Sequence, residues 1–269
     1  MLALIDGDVV AFHACPPRWG GDAKDGVVQR KVDAEGNYIE PEYTKEEDEA
    51  YLRVCWRNFQ AQVRGIVDDT FAHDFLMAVK SPTNFRDTMY PEYKQHRRNP
   101  NKRNEFVPVL RDLAVLEDLS VYAHDMEADD LIRMWAETCR KVGQDFIICS
   151  IDKDLRCIAG KHWHLRDKVL VTVTEEEALR FYYEQLLKGD PTDNIPGVPR
   201  VGDKTATKLL ADYDTEEEYQ SIVVDAYLKA YGEEDWLNYL VSNGKMIHIM
   251  RHPQDYFNCL NWPIIQELL

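Results

Sequence analysis

The stretch KGDPTDNIPGVPRVGDKTATKLL, Lys188–Leu210, places Asp190 and Asp193 just ahead of a Gly-Val-Pro-Arg-Val-Gly turn that runs into a helix-forming segment. It poses a choice between a phosphate cradle for a nucleotide and a carboxylate site joined to a turn that grips a phosphate backbone. Gly197 and Gly202 have the separation of a P-loop, but Asp203 stands where the lysine belongs and Lys204 comes one position late. A P-loop also follows a buried strand, whereas this one follows DPTDNIP. Nucleotide hydrolysis is therefore set aside. What survives is local physics. Two glycines permit close backbone approach, Asp203 is placed to cap the next helix, and the free N–H groups at that helix start suit a phosphate. Such a grip holds a backbone without reading sequence.

Outward from this stretch, the chain alternates short apolar runs with amphipathic segments. LALID, DFLMAV, SVYAH and DFIICSI read as strands, with HWHL and VLVTV as further short ones. The pattern predicts a helix over 45–67 with Tyr51, Val54, Cys55, Phe59 and Val63 on one face. Ala128, Leu131, Ile132, Trp135, Ala136 and Cys139 recur at helical spacing. Residues 174–187 read as a helix opened by a Thr174/Glu177 capping box. This alternation predicts an α/β class with a mostly parallel sheet covered by helices. The segment DGVVQRKVDAEGNYIEPEY reads as a hairpin. After Gly189 only helices are expected, over 203–213, 215–231 and 233–241. A boundary near Leu187 divides the chain into 1–187 and 188–269.

Bulk properties bound the answer. The 269 residues are 45% apolar, enough for a substantial core, and no run approaches the ~20 apolar residues that span a bilayer. The start MLALIDGDVVAFHAC does not read as a signal peptide. Six scattered cysteines without CxxC spacing read as reduced, buried thiols of a cytosolic protein. The net charge of −16 argues against indiscriminate nucleic-acid binding. Within it, however, sits a basic island: Arg86, Lys94, His96, Arg97, Arg98, Lys102 and Arg103 against Asp87 and Glu92. The island is expected to be a mobile or partly helical loop.

Four acidic clusters fall at element ends: Asp6/Asp8, Glu127/Asp129/Asp130, Asp152/Asp154 and Asp190/Asp193. Taken singly, each reads more simply as a cap or turn residue. Jointly they do not, because ligand sites in open α/β sheets form at the carboxyl ends of strands. Two carboxylates about 4 Å apart repel by about 4 kcal/mol at an effective dielectric near 20, so a convergent group needs cations. All-oxygen donors suit hard ions such as Mg²⁺ or Mn²⁺, and a pair of these forms a clamp for phosphodiester hydrolysis. None of the eight histidines has zinc spacing, and His162 and His164 read as ordinary surface or core residues. No GxSxG is present, and no Cys/His pair reads as a catalytic arrangement.

LIDGD, MEADDLI, ICSIDKDL and GDPTDNIPGVPRVGDKTATKLL together resemble the 5′ nuclease superfamily (flap endonuclease-like, 5′-3′ exonuclease) of bacterial and bacteriophage type. YPEYKQHRR resembles its basic segment. The resemblance covers roughly residues 1–212. It implies a PIN-like core with helices on both faces, over 1–187, with a basic arch near 80–106, followed by a helix-three-turn-helix region over 188–269. It implies that Asp6, Asp8, Glu127, Asp129, Asp130, Asp152, Asp154, Asp190 and Asp193 hold two divalent cations. Lys94 and Arg97 become the pair that reaches the scissile phosphate. Tyr93, Arg98, Lys102, Arg103, Gly197, Val198, Arg200, Gly202, Lys204 and Thr205 become DNA contacts, with a K⁺ ion held by carbonyls of the turn.

Two departures stand out. The family's aspartate at the end of the second core strand falls here within Ala78–Ser81, none of them acidic, with Asp8 as the candidate substitute. Arg200 replaces a common glycine and is expected to resist a left-handed backbone. The reading is a metal-dependent nuclease acting near 5′ ends, flaps or nicks of DNA, with RNA–DNA hybrid as a further substrate. It is placed in the cytoplasm of a bacterial cell or phage-infected host, without a membrane partner. The alternatives are a catalytically impaired DNA-binding member, motivated by Ala78–Ser81, and a PIN-type ribonuclease.

Overall fold

The computed structural model describes residues 1–16, 34, 43–95 and 104–269. The expected hairpin over 25–43 and the basic residues Arg97, Arg98, Lys102 and Arg103 lie outside these, apart from Ala34 and Tyr43.

Each apolar run forms a strand because the runs are short and bounded by polar turns. These are β1 (Leu2–Asp6), β2 (Asp74–Lys80), β3 (Val121–Ala123), β4 (Phe146–Ser150), β5 (Gly160–His164) and β6 (Val169–Val173). They build one six-stranded sheet in the order β3-β2-β1-β4-β5-β6. Pairing is parallel from β3 through β5, and only the β5–β6 hairpin is antiparallel. The central position of β1 is what matters for function. Its last residue, Asp6, is in register with Ala78 of β2, and its neighbours run to the same edge.

Side chains of alternate parity divide the core. Ala3, Ile5, Met77, Ile147 and Cys149 pack against α1 (Gly7–Ala14), α2 (Lys45–Thr70) and α4 (Phe106–Leu116). Leu4, Ala78 and Ile148 pack on the opposite face against α5 (Ala128–Val142) through Ala128, Ile132 and Ala136. The sheet is thus sandwiched by helices, as the sequence predicts. Helix α2 runs to Thr70, three residues beyond the expectation, and stops at Phe71 in a left-handed conformation.

The C-terminal half is helical: α6 (Glu175–Lys188), α7 (Asp203–Leu210), α8 (Glu216–Ile247) and α9 (Pro263–Leu268). The Thr174/Glu177 and Thr215/Glu218 capping boxes are both formed. Residues 216–247 are helical on both sides of Gly232, whose φ of 77° kinks the run where the sequence reads two helices. These helices share an apolar cluster that includes Leu187, Val198, Leu210, Tyr227 and Trp262. Leu186 and Leu187, placed by sequence at the end of the first unit, pack into this second cluster. Short helix α3 (Phe85–Met89) starts the basic island, confirming partial helicity there. No helix among the described residues is long and apolar enough to cross a membrane.

Candidate metal and DNA site

The sheet edge assembles the acidic clusters. Asp6 ends β1 and turns its side chain onto the next helix, where Oδ1 accepts the amides of Asp8 (3.1 Å) and Val9 (3.3 Å). Oδ2 accepts the Ser150 hydroxyl at 2.7 Å from the end of β4. Burial, then the nearby Asp8 and Asp152 charges, push the Asp6 carboxyl up to about 7, against the lowering by Ser150 and the Val9 amide. Asp129 is raised well above the carboxylate range by burial and by Asp152, Asp6 and Glu127. Asp154 is pushed up to about 7 by burial and by Asp152, Asp190 and Asp193. These mutual repulsions show carboxylates from separate segments brought within reach of one another.

Glu127, Asp129, Asp152, Asp154, Asp190 and Asp193 line one small cavity, about 30 Å³, with Lys94. That is room for a few waters or ions at most. Two lysines compensate part of the charge. Lys94 Nζ lies 2.6 Å from Glu127 and 3.4 Å from Asp193, and Lys153 Nζ lies 3.3 Å from Asp190. Burial alone would raise Glu127, but Lys94 and Arg86, with hydrogen bonds from Lys94 and Tyr93, bring it down to about 2. Asp190 is likewise lowered, chiefly by Lys153 and the Thr192 amide working against burial. Among the described residues no three side chains already close into a coordination shell. Lys94 and Lys153 hold Glu127, Asp193 and Asp190 in ion pairs instead. The donor set itself, all oxygen and strongly anionic, fits hard divalent cations.

Asp190 and Asp193 sit on a loop closed at its base. Asp190 and Ile195 exchange backbone hydrogen bonds of 2.9 and 2.8 Å, and Val198 N–H donates to Leu187 O at 2.7 Å. Gly189 and Gly197 meet backbone to backbone there, and a Cβ on Gly197 would lie 2.3 Å from Gly189 N. The Asp193 carbonyl accepts Lys94 N–H at 3.0 Å, tying the loop to the start of the basic segment. Lys94 holds a φ of 52°, a left-handed conformation maintained by these contacts.

Several expected site residues stand elsewhere. Asp130 is not on the cavity: it is fully buried, and Arg86 Nη1 and Nη2 reach it at 2.6 and 2.9 Å. The amides of Met250 (2.9 Å) and Glu127 (3.0 Å) occupy it further, so its expected metal-ligand role gives way to an internal ion pair. Asp8 lies toward β2, its Oδ1 accepting Lys80 N–H at 3.1 Å and pairing with Arg111 Nε at 2.7 Å. Its carboxylate thus reaches the end of the strand that lacks an acidic residue. Tyr93, expected on DNA, is 2% exposed and gives its hydroxyl to Glu127 at 3.0 Å. Val198 is buried in the helical cluster.

Arg200 and Gly202 are exposed on the turn and Lys204 and Thr205 in the first turn of α7, while Gly197 is buried with its carbonyl accepting the Tyr231 hydroxyl at 2.7 Å. Helix α7 is capped by Gly202 without a side-chain bond. Asp203 is not the cap but the first helical residue, paired with Lys188 at 2.6 Å. This leaves the helix start open to an anion. Arg200 adopts φ 66° despite its side chain, contrary to the expectation.

Arg86, Lys153, Ser150, Gln185 and Asn84 also build the site, Gln185 donating to Asp154 at 2.8 Å and Asn84 to Glu127 at 3.1 Å. Nothing in the sequence separates Arg86 from the other cations of its island. Lys153 could have been found, lying between Asp152 and Asp154.

The family model for the 5′-3′ exonuclease, N-terminal resolvase-like domain, matches residues 38–187, more than half of the chain. The chain belongs to this 5′-3′ exonuclease family. A DNA polymerase I from Bacillus subtilis is 33% identical over 171 residues, 56% of this chain and 19% of the polymerase. A 5′-3′ exonuclease of Buchnera aphidicola is 32% identical over 146 residues, 49% of this chain and 50% of that protein. The chain spans about a fifth of the length of the polymerases it matches. A bacteriophage T5 flap endonuclease in a product complex with DNA and metal ions superposes with a TM-score of 0.54 at 13% identity, covering 95% of this chain and 94% of that one. The T5 5′-exonuclease with bound zinc gives 0.50 at 15% identity, covering 92% and 99%. At these identities the likeness is one of fold.

Proposed function

We propose that this chain hydrolyses DNA phosphodiesters near 5′ ends, as a 5′-3′ exonuclease, a flap endonuclease or both, with two divalent cations, Mg²⁺ or Mn²⁺. The observation that carries the reading is the convergence of Asp6, Glu127, Asp129, Asp152, Asp154, Asp190 and Asp193 from four separate segments, repelling one another on one sheet edge. These residues would hold the ions, with Asp8 at the neighbouring end of β2. When bound, the ions supply an activated water and neutralise the departing oxygen. The chain does the rest. Lys94 places a half-buried ammonium beside Glu127 and Asp193, where it can meet the scissile phosphate. Arg97, with Arg98, Lys102 and Arg103, is assigned to the arch that handles a 5′ single strand. Tyr93 and Asn84 orient Glu127.

The open start of α7 and exposed Arg200, Lys204 and Thr205 would hold the duplex backbone away from the cut, with K⁺ on carbonyls of the turn. Flapped, nicked and blunt duplexes are the proposed DNA substrates, and the RNA strand of an RNA–DNA hybrid a further one. Cytoplasmic action in a bacterial cell or infected host, and a division into a nuclease unit over 1–187 and a DNA-holding unit over 188–269, belong to the same proposal.

The test is cleavage of 5′-labelled flap, nicked and blunt DNA with Mg²⁺ or Mn²⁺, beside the double variant Asp152→Ala/Asp154→Ala. Equal product from the two proteins would sink the enzyme reading. The non-acidic end of β2, Ala78–Ser81, favours a second reading as an impaired DNA-binding member. Retention of flap DNA without cleavage in either metal would establish it.

A further inference from the structure

Strand β6 closes one end of the sheet, and among the described residues no strand pairs with its outer side. The opposite edge strand, β3, is only three residues long, a common guard against edge pairing. β6 is five residues long, VLVTV, with no proline, charge or bulge. Val169, Leu170 and Val171 are 48%, 54% and 39% exposed, so both faces of the strand carry bare aliphatic surface. On the α6 side, Val171 and Val173 line a cavity of about 280 Å³ with Phe181. An edge of this kind is a template for another strand.

The register says which backbone groups are on offer. Leu165 continues β5, and its N–H donates to Ser150 O on β4 at 3.2 Å. Backbone groups alternate sides along a strand, so those of Gly160, His162 and His164 turn toward β6. They meet Val173, Val171 and Val169 there. Leu170 and Thr172 are left with N–H and C=O groups directed off the sheet. A second β6 laid antiparallel about a two-fold axis satisfies both. Leu170 of each copy then exchanges two hydrogen bonds with Thr172 of the other, and Val171 meets its own copy on the axis.

Charge favours the same arrangement. The turn before β6 reads Arg166-Asp167-Lys168, and α6 opens with Glu175-Glu176-Glu177. Antiparallel apposition brings the basic turn of each copy beside the acidic helix start of the other. Arg166, Lys168, Glu175 and Glu176 remain well exposed despite local pairs with Asp167, Asp69, Arg140 and Arg180. The edge is thus complementary to itself in hydrogen bonds, apolar surface and charge. We propose that β6 docks a second copy of this chain, joining two six-stranded sheets into one across a two-fold axis. A five-residue edge is narrow beside the ~1,600 Å² of a standard interface, so the dimer is weak and reversible, with a dissociation constant on the order of 10 µM.

Sedimentation velocity of the full chain over micromolar to submillimolar concentrations tests it. Reversible monomer–dimer behaviour is expected, weakening as salt rises. Thr172→Pro removes an outward donor from each copy but none from the pairing with β5. It should weaken association about tenfold or more while leaving the circular-dichroism melt in place. Val171→Cys should cross-link to its own copy under mild oxidation by copper phenanthroline, since facing residues of a non-hydrogen-bonded pair lie about 4.5 Å apart at Cα, within disulfide reach. Thr172→Cys faces Leu170 of the other copy and should not cross-link to itself. Three outcomes overturn the proposal: the chain is monomeric throughout, Thr172→Pro associates as the parent does, or Val171→Cys cross-links no more than Thr172→Cys or the parent. If Thr172→Pro fails to fold, Val171→Lys takes its place, setting two like charges together on the axis.

Discussion

Arg86 and Asp130 form a fully buried, two-pronged ion pair behind the candidate metal site, at 2.6 and 2.9 Å. Arg86 also donates to the carbonyls of Met246 (3.2 Å) and His248 (2.6 Å) at the end of α8. One guanidinium thus joins the start of α3, the first turn of α5 and the C-terminal segment. Removing one partner of such a pair strands the other charge. Arg86→Met is expected to cost about 3–5 kcal/mol, read from urea unfolding. An unchanged midpoint would show that the pair does not bear on stability.

Gly197 combines a φ of 62° with backbone contact to Gly189 and Lys188. Gly197→Ala strains the backbone and pushes the base of the Asp190–Ile195 loop apart. A loss of about 2 kcal/mol or more is expected. Since the loop carries Asp190 and Asp193, cleavage should fall with it, and a calorimetric melt beside a single-turnover assay checks both.

Arg200 pays the left-handed penalty without a packing reason, since it is exposed. Arg200→Gly should raise stability by about 0.5–1 kcal/mol, the strain relieved less the entropy glycine adds to the unfolded chain. If Arg200 also touches a phosphate, the slope of log affinity for duplex DNA against log salt falls by about one unit. Gel-shift titrations at several salt concentrations measure that slope.

Asp6 and Asp154, at about 7, bind protons in the folded chain that the unfolded chain has already released. Folded proteins with raised carboxylates lose stability as pH climbs from the ordinary carboxylate value through the folded one. Between about pH 4 and pH 7 these two groups therefore act to destabilise the metal-free protein as pH rises. The proposed Mg²⁺ would bind the ionised forms, so its stabilising effect should be larger near pH 8 than near pH 5. Thermal melts with Mg²⁺ or EDTA at the two pH values give the comparison, and equal shifts would contradict it.

Much of the site was legible because it is written as short motifs at element ends. Asp6, Asp152 and Asp154 could be placed together once β1 and β4 were read as parallel strands, since parallel neighbours end at one edge, whereas Glu127 and Asp129 were read at a helix start and joined them through the family resemblance. Asp130 was misplaced for a definite reason. Its spacing from Glu127 suits a shared helix face, but its partner Arg86 is 44 residues away, in the short helix α3. No local pattern separates a ligand from the acceptor of a buried guanidinium. Tyr93 and Val198 were misplaced similarly, because a motif says which residues are near a site and not which way each side chain points. Arg200 shows the converse: the turn imposes its conformation on the residue, and intrinsic preference yields.

By itself, then, the sequence determined the alternation of strands and helices, the acidic element ends and the departure from a nucleotide-binding loop. These depend on periodicity and on residue type at a chain position, both local. Tertiary structure decided which carboxylates face one another and which are taken by Arg86 or Arg111. It also decided that Lys94 bridges Glu127 and Asp193. Those outcomes turn on distances of about 3 Å between residues far apart in the chain, which only packing of the whole fold sets.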